Sequence, residues 1–139
     1  MICVVDGCVL LDHLRGVPEA SDALARYDER RVSALTVTEL DRVHERLYGR
    51  GPSPHGHALD TLLAACTVVP VDLRIARTAA SLAATIGLPL WDAIVLATAR
   101  VDGVVLLTRH VGYEAPDAVI AYERNAPLFD RVRRGVADG

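Results

Sequence analysis

The first eleven residues constrain this chain more than any other stretch. Ile2 to Leu11 reads I-C-V-V-D-G-C-V-L-L, an apolar run interrupted by a single carboxylate, Asp6. A short run of branched apolar residues predicts a strand buried on both faces. A charge that ends such a strand must sit at the sheet's edge, where water, a metal or a partner can solvate it. Gly7 is expected to allow a sharp change of direction, and Val9 to Leu14 then opens a helix. Strand, carboxylate, turn and helix are the first elements of an open α/β sheet, which places its chemistry at the carboxyl ends of its strands.

The remaining 128 residues decide whether more acid reaches that edge. A length of 139 predicts one domain with a real core. Apolar residues are 51% and aromatics only 4%, so that core is aliphatic. No stretch is long enough for a membrane span, and no signal peptide is evident at the start, so the expected location is cytoplasmic. Cysteines at positions 3, 8 and 66 form neither a disulfide framework nor a zinc spacing; Cys3 and Cys66 are expected in the core. All fifteen basic residues are arginine. The lack of lysine excludes a Walker-type phosphate loop and lysine-based covalent catalysis. A net charge of −3 gives no global attraction to nucleic acid, so any such attraction must be local.

Strands and helices alternate along the chain. Pro18 starts a helix expected to reach about Glu29, and a strand follows at Val32 to Leu35. Thr36 and Glu39 have the spacing of a capping box, predicting a helix from about Val37 to Tyr48. Gly49 to Gly56 reads as a loop, Ala58 to Ala65 as a helix, and Cys66 to Val71 as a strand. Asp72 caps an amphipathic helix, Leu73 to Ile86, that Gly87 stops. A nearly all-apolar helix runs from about Leu90 to Arg100. Val104 to Leu107 and Ala118 to Tyr122 are the last strands, and Pro127 to Arg134 is a short helix. Such alternation predicts a mainly parallel sheet covered by helices on both faces.

Three carboxylates occupy positions that hydrophobic pattern alone does not demand. Asp6 ends the first strand, Glu39 lies in the first turn of the helix after the second, and Asp92 opens the buried helix. In a doubly wound sheet, strand ends and the following helix starts share one side, so all three can converge on one rim. Each also has a plain local role: Asp6 as a helix cap, Glu39 as a capping-box partner, Asp92 as a favourable charge at a helix N-terminus. Converging carboxylates repel one another, and a divalent cation offsets that repulsion. Hard oxygen donors suit Mg²⁺ or Mn²⁺, and such a centre can activate water against a phosphodiester.

The motifs V-V-D-G-C-V-L-L-D at the start, V-T-E-L at 37–40, W-D-A-I-V-L-A-T-A at 91–99 and V-L-L-T at 105–108 resemble those of PIN-domain ribonucleases. Their order and the chain length are similar to the small VapC-type toxins of bacterial toxin–antitoxin pairs. The resemblance spans essentially the whole chain. It implies a single PIN-like domain over residues 1–139: a three-layer α/β/α sandwich around a central, mainly parallel sheet of about five strands. It implies a Mg²⁺- or Mn²⁺-dependent endoribonuclease, a homodimer, an RNA substrate and inhibition by a cognate antitoxin. The family's acids fall on Asp6, Glu39 and Asp92.

Departures from the motif fall around the same site. After L-L-T the family usually carries aspartate two residues past the threonine, and often another two further on; here these are His110 and Gly112. After the first aspartate it usually carries threonine and serine; here Gly7 and Cys8 stand there, and a thiol is only a weak donor. Thr108, Cys8 and His110 are therefore auxiliary candidates. His110 has three readings: a ligand for Mn²⁺ or a softer metal, a cation replacing the metal's charge, or a solvent-exposed loop residue. Glu114 and Asp117 are near enough in sequence to supply a missing carboxylate.

Arg42, Arg46 and Arg50 follow Glu39 at helical spacings, suiting either a phosphate track or an ordinary solvated face. His55 and His57 form H-x-H without a third ligand in register. Asp12 is expected to face solvent, Trp91 to be a packing residue, and Arg131, Arg133 and Arg134 to lie in a solvated tail. Two functions remain: a metal-dependent ribonuclease toxin, or a degenerate PIN domain that binds RNA or a protein partner without cutting. A phosphoacceptor signalling domain also has an acid after its first strand, but it needs a lysine that this chain lacks.

Overall fold

The computed structural model describes residues 1–113 and 115–122. The short helix expected at Pro127 to Arg134 and the basic tail lie outside them. The element order is β1 (Ile2–Val5), α1 (Gly7–Leu14), α2 (Pro18–Ala25), β2 (Glu29–Ser33), α3 (Ala34–Tyr48), α4 (Pro54–Ala64), β3 (Thr67–Val69), α5 (Leu73–Ile86), α6 (Leu90–Asp102), β4 (Val105–Thr108) and β5 (Ala118–Ile120). A 3-10 turn, Val111–Tyr113, precedes β5.

All five strands are parallel, in the order β3-β2-β1-β4-β5. The opening run is the middle strand, which explains its uniform hydrophobicity. Cys3 and Val5 face a core shared with α1, α2, α3 and α4, while Val4 faces a second core built on α5 and α6. Helices thus cover both faces, as an α/β/α sandwich. Cys3, Val4 and Val5 are all fully buried, and each valine contributes about 1.5–3 kcal/mol by leaving water. Burial also pushes the Cys3 thiol up to about 12, so it is an inert core residue. Cys66 is half-buried against the same core. Among the described residues no single helix is long and apolar enough to cross a membrane.

Several boundaries differ from the sequence expectation, each for a physical reason. The helix starting at Pro18 stops at Ala25 rather than Glu29, because Glu29–Ser33 is drawn into the sheet beside β1. The charges of β2 are accommodated at its open end, where Arg31 bonds Glu29 and Asp102 at 2.7 and 3.0 Å. The next helix starts at Ala34, capped by Ser33, whose Oγ accepts the Leu35 N–H at 3.2 Å. Thr36 is buried inside the helix and is not a cap, so the Thr36/Glu39 capping box does not form. Within Gly49 to Gly56, Ser53 and Pro54 start a helix instead of continuing a loop. A serine cap followed by proline is a helix-start signature, here hidden in a Gly- and Pro-rich context. Asp72 and Gly87 bound α5 as expected: Asp72 Oδ1 accepts the Ile75 N–H at 2.8 Å, and Gly87 is left-handed at φ 75°.

Candidate functional site

Asp6 sits at the carboxyl end of the central strand and is 1% exposed. It is the N-cap of α1 and makes the turn itself, with φ −72° and ψ 147°. Gly7 is simply the first helical residue, and its conformation is not the left-handed one that requires glycine. The Asp6 backbone N–H donates to Leu107 O at 2.9 Å. Its Oδ1 accepts the Gly7 N–H at 2.9 Å, and its Oδ2 accepts the Thr108 hydroxyl at 2.8 Å. The carboxylate is therefore clamped between a helix N-terminus and the end of β4.

Thr108 is fully buried and serves three groups at once. Because its proton is given to Asp6, its Oγ1 accepts the His110 backbone N–H at 2.9 Å and lies 3.8 Å from Cys8 Sγ. With the hydroxyl proton spent, the thiol is the donor in that last contact. Burial, and then the negative charge of Asp6, push the Cys8 thiol well above its ordinary value, keeping it protonated for this role. Cys8 thus replaces the expected hydroxyl with a weaker donor to the threonine.

Glu39 is 7% exposed and lies in the second turn of α3, not the first. Its Oε1 accepts the indole N–H of Trp91. Trp91, expected as a packing residue, is half-buried and ties α3 to the first turn of α6. Asp92 is the next residue, 9% exposed and close to the favourable N-terminal end of α6. α6 in turn packs on β1, β4 and α3.

The three acids thus belong to elements that meet at the carboxyl end of the sheet, and each is more than nine-tenths buried. Among the described residues, however, no three His, Cys, Asp or Glu side chains form a group set to hold a metal ion. The donor chemistry fits Mg²⁺ or Mn²⁺ nonetheless: the donors are hard oxygens, and each Asp6 oxygen accepts one hydrogen bond, from Gly7 N–H or the Thr108 hydroxyl, while a carboxylate oxygen has two lone pairs.

His110 is half-buried, with its Nδ1 accepting the Gly112 N–H at 3.0 Å and its ring edge-on to Tyr113. An accepting Nδ1 puts the proton of the neutral ring on Nε2. A cation would carry a proton on Nδ1 facing the Gly112 N–H, and ligation through Nε2 would require the same proton. The seat of His110 thus favours the Nε2–H tautomer, which leaves Nε2–H as the ring's donor. Glycine at 112 permits this seat, since a Cβ there would lie 2.9 Å from His110 Cε1.

Other sequence candidates separate from the site. Asp117 bonds Arg100 at 2.9 and 2.7 Å, which commits its carboxylate and holds it below the usual range. Glu114 lies outside the described residues. Arg42 and Arg46 are exposed on α3, and Arg50 folds back to pair with Glu45. His55 is on α4, stacked on Tyr48 at 3.8 Å, so H-x-H is not an extended loop pair.

Asp12 corrects the sequence reading most sharply. Expected in solvent, it is 1% exposed, and its Oδ2 accepts Arg109 Nε and Tyr122 OH, each at 2.8 Å. Nothing in the local sequence marks Arg109 or Tyr122 as its partners. The one available signal was an acid inside the apolar L-L-D-H-L helix face; its partners lie 97 and 110 residues away.

Fold and site together define a class: an α/β/α protein with buried carboxylates on elements that meet at the carboxyl end of a parallel sheet. The model of the PIN domain family matches residues 3–114, and the chain belongs to that family. A chain of a toxin–antitoxin complex from Klebsiella pneumoniae superposes with a TM-score of 0.78 at 26% identity, covering 88% of this chain and 99% of that one. FitAcB from Neisseria gonorrhoeae gives 0.64 at 26% identity, covering 81% and 90%. VapBC2 from Rickettsia felis, bound to a DNA fragment from its promoter, gives 0.68 over 86% and 96%; at 13% identity it is similar in fold alone. No curated protein matches the chain significantly in sequence.

Proposed function

We propose that this chain is a divalent-metal-dependent endoribonuclease, the VapC-like toxin of a toxin–antitoxin pair, acting in the cytoplasm as a single PIN domain. The observation that carries this reading is Asp6, buried at the end of the central strand and held on both oxygens by Thr108 and the α1 N-terminus. Asp6, Glu39 and Asp92 would hold Mg²⁺ or Mn²⁺. When bound, the ion would supply the charge that activates water and stabilises a phosphodiester during cleavage. Thr108 orients Asp6, Cys8 donates to Thr108, and Trp91 orients Glu39. The Nε2–H of His110 is a donor for a phosphate oxygen where the family carries an acid. Arg42 and Arg46 are exposed cations for the RNA backbone; Arg50, paired with Glu45, contributes less.

Two structural neighbours at 26% identity, one of them from a toxin–antitoxin complex, support an antitoxin partner. A groove between α1, α3 and α4, lined by Leu14, Leu40, Val43, Leu47 and Tyr48, offers apolar surface for its segment. A homodimer is part of the same reading.

The second reading is a PIN domain that binds without cutting. It is favoured by the seat of His110 and by the hydrogen bonds that Asp6 and Glu39 already make to Thr108 and Trp91. Incubation of purified protein with RNA and Mn²⁺, together with calorimetric Mn²⁺ titration, separates the two. The nuclease reading expects cleavage and Mn²⁺ binding that both disappear in Asp6→Asn with the fold intact, since asparagine caps helices as well as aspartate. Cleavage by Asp6→Asn at the parent rate would overturn the site; a parent that neither binds Mn²⁺ nor cuts would leave the binding-only reading.

A further inference from the structure

Asp12, Arg109 and Tyr122 make a buried polar cluster that the proposed chemistry does not use. Asp12 lies on α1, the helix that Asp6 caps. Arg109 follows Thr108, the residue that bonds Asp6, and Tyr122 lies just past β5. The side chains of Arg109 and Asp12 are 4% and 1% exposed. Taking both charges out of water is expensive, and a well-packed apolar pair of similar volume is often as stable or more so. Net stability therefore does not explain the pair; what it supplies is direction.

We propose that Asp12, Arg109 and Tyr122 are positioning residues that fasten the Thr108–His110 segment to α1, so that the Thr108 hydroxyl stays on Asp6. Four bonds follow from that docking: Arg109 Nε and Tyr122 OH to Asp12, Thr108 Oγ1 to Asp6, and the His110 N–H to Thr108. The chain is tied again where Ala121 N donates to Thr108 O at 2.7 Å, which carries Tyr122 to the same place. One bonded chain thus links β5, β4 and both ends of α1. For its effect on chemistry, the proposal rests on the nuclease reading above; its structural part does not.

The test is a double variant, Asp12→Leu with Arg109→Met, which removes both charges together and leaves neither buried alone. Three readouts are compared with the parent: thermal stability, amide hydrogen exchange, and RNA cleavage as kcat and KM with Mn²⁺. The double variant is expected to fold with parent-like stability and to keep the protection of Val4 and Val5. The His110 amide should exchange about 10-fold faster, and kcat should fall about 10-fold with KM unchanged, the size of effect seen when an outer partner of a site is lost. Unchanged His110 exchange in a folded double variant overturns the anchor. Faster exchange with parent kcat overturns its link to Asp6. Should the double variant not fold, Tyr122→Phe removes one bond to Asp12 and is read by the same His110 amide. A parent without Mn²⁺ binding or cleavage refutes the nuclease reading, and the amide then decides the anchor alone.

Discussion

Thr108 and Asp6, 102 residues apart in sequence, share a 2.8 Å hydrogen bond between fully buried groups at the carboxyl rim of the sheet. The adjacent, in-register parallel strands β1 and β4 create it, with Val5 opposite Leu107. The threonine is therefore a structural partner of the acid as well as the end of a strand.

Thr108→Val keeps the shape and deletes the hydroxyl, leaving Asp6 Oδ2 and the His110 N–H each short of a partner. A loss of about 2 kcal/mol is expected, typical of unsatisfying buried polar groups. Urea denaturation measures it, and cleavage should fall in parallel. Thr108→Ser should recover most of both; equal behaviour of the valine and serine variants would show that the hydroxyl is not used.

Trp91→Phe retains an aromatic ring but removes the indole donor from Glu39. A hydrogen bond to a charged group at a half-buried site is worth about 1.5 kcal/mol. The same loss should appear in Glu39→Leu, and the double variant should lose much less than the sum. A double-mutant cycle that shows strict additivity would mean that Trp91 is packing only.

The seat of His110 predicts a tautomer. Nitrogen-15 NMR at neutral pH should find the ring protonated on Nε2 alone. Gly112→Ala should displace the ring, because the added Cβ meets Cε1 at 2.9 Å and Nδ1 at 3.1 Å. An Nδ1–H tautomer in the parent would return His110 to the metal-ligand reading.

Arg100 and Asp117 tie the end of α6 to the turn before β5 and predict an acid-side dependence. The guanidinium hydrogen bonds hold the Asp117 carboxyl below its ordinary 3.8. A lowered folded value means that the unfolded chain binds the proton first. The contribution is thus complete above the ordinary value and is lost as pH falls through the lower folded one. With Arg100 38% exposed, solvent screening limits the pair to about 0.5 kcal/mol. Asp117→Asn should cost that much at pH 7 and progressively less as the pH falls below 3.8, as followed by thermal unfolding.

Much of the frame was legible along the chain because its signals are local. The apolar run before Asp6 marks the central strand, Asp72 and Gly87 bound α5, and the near-uniform hydrophobicity of α6 marks a buried helix. Local signals failed where two neighbouring segments offered equivalent choices. Ser33 and Thr36 are both competent caps, and pairing of β2 with β3, which ends at Ser33 opposite Val69, selects Ser33. Ser53-Pro54 carried a helix start that its glycine-rich surroundings obscured.

The sequence by itself determined that an acid must stand at the end of a buried strand, since no other arrangement lets Asp6 reach polar partners without breaking the apolar run. It also determined the alternation that makes the sheet parallel. Tertiary structure alone decided which groups hold those acids: Thr108 on Asp6, Trp91 on Glu39, Arg109 and Tyr122 on Asp12. These partners are separated by 52 to 110 residues. No local pattern encodes such a pairing. It arises because strands remote in sequence become neighbours, and buried charges take the donors that the sheet brings within reach.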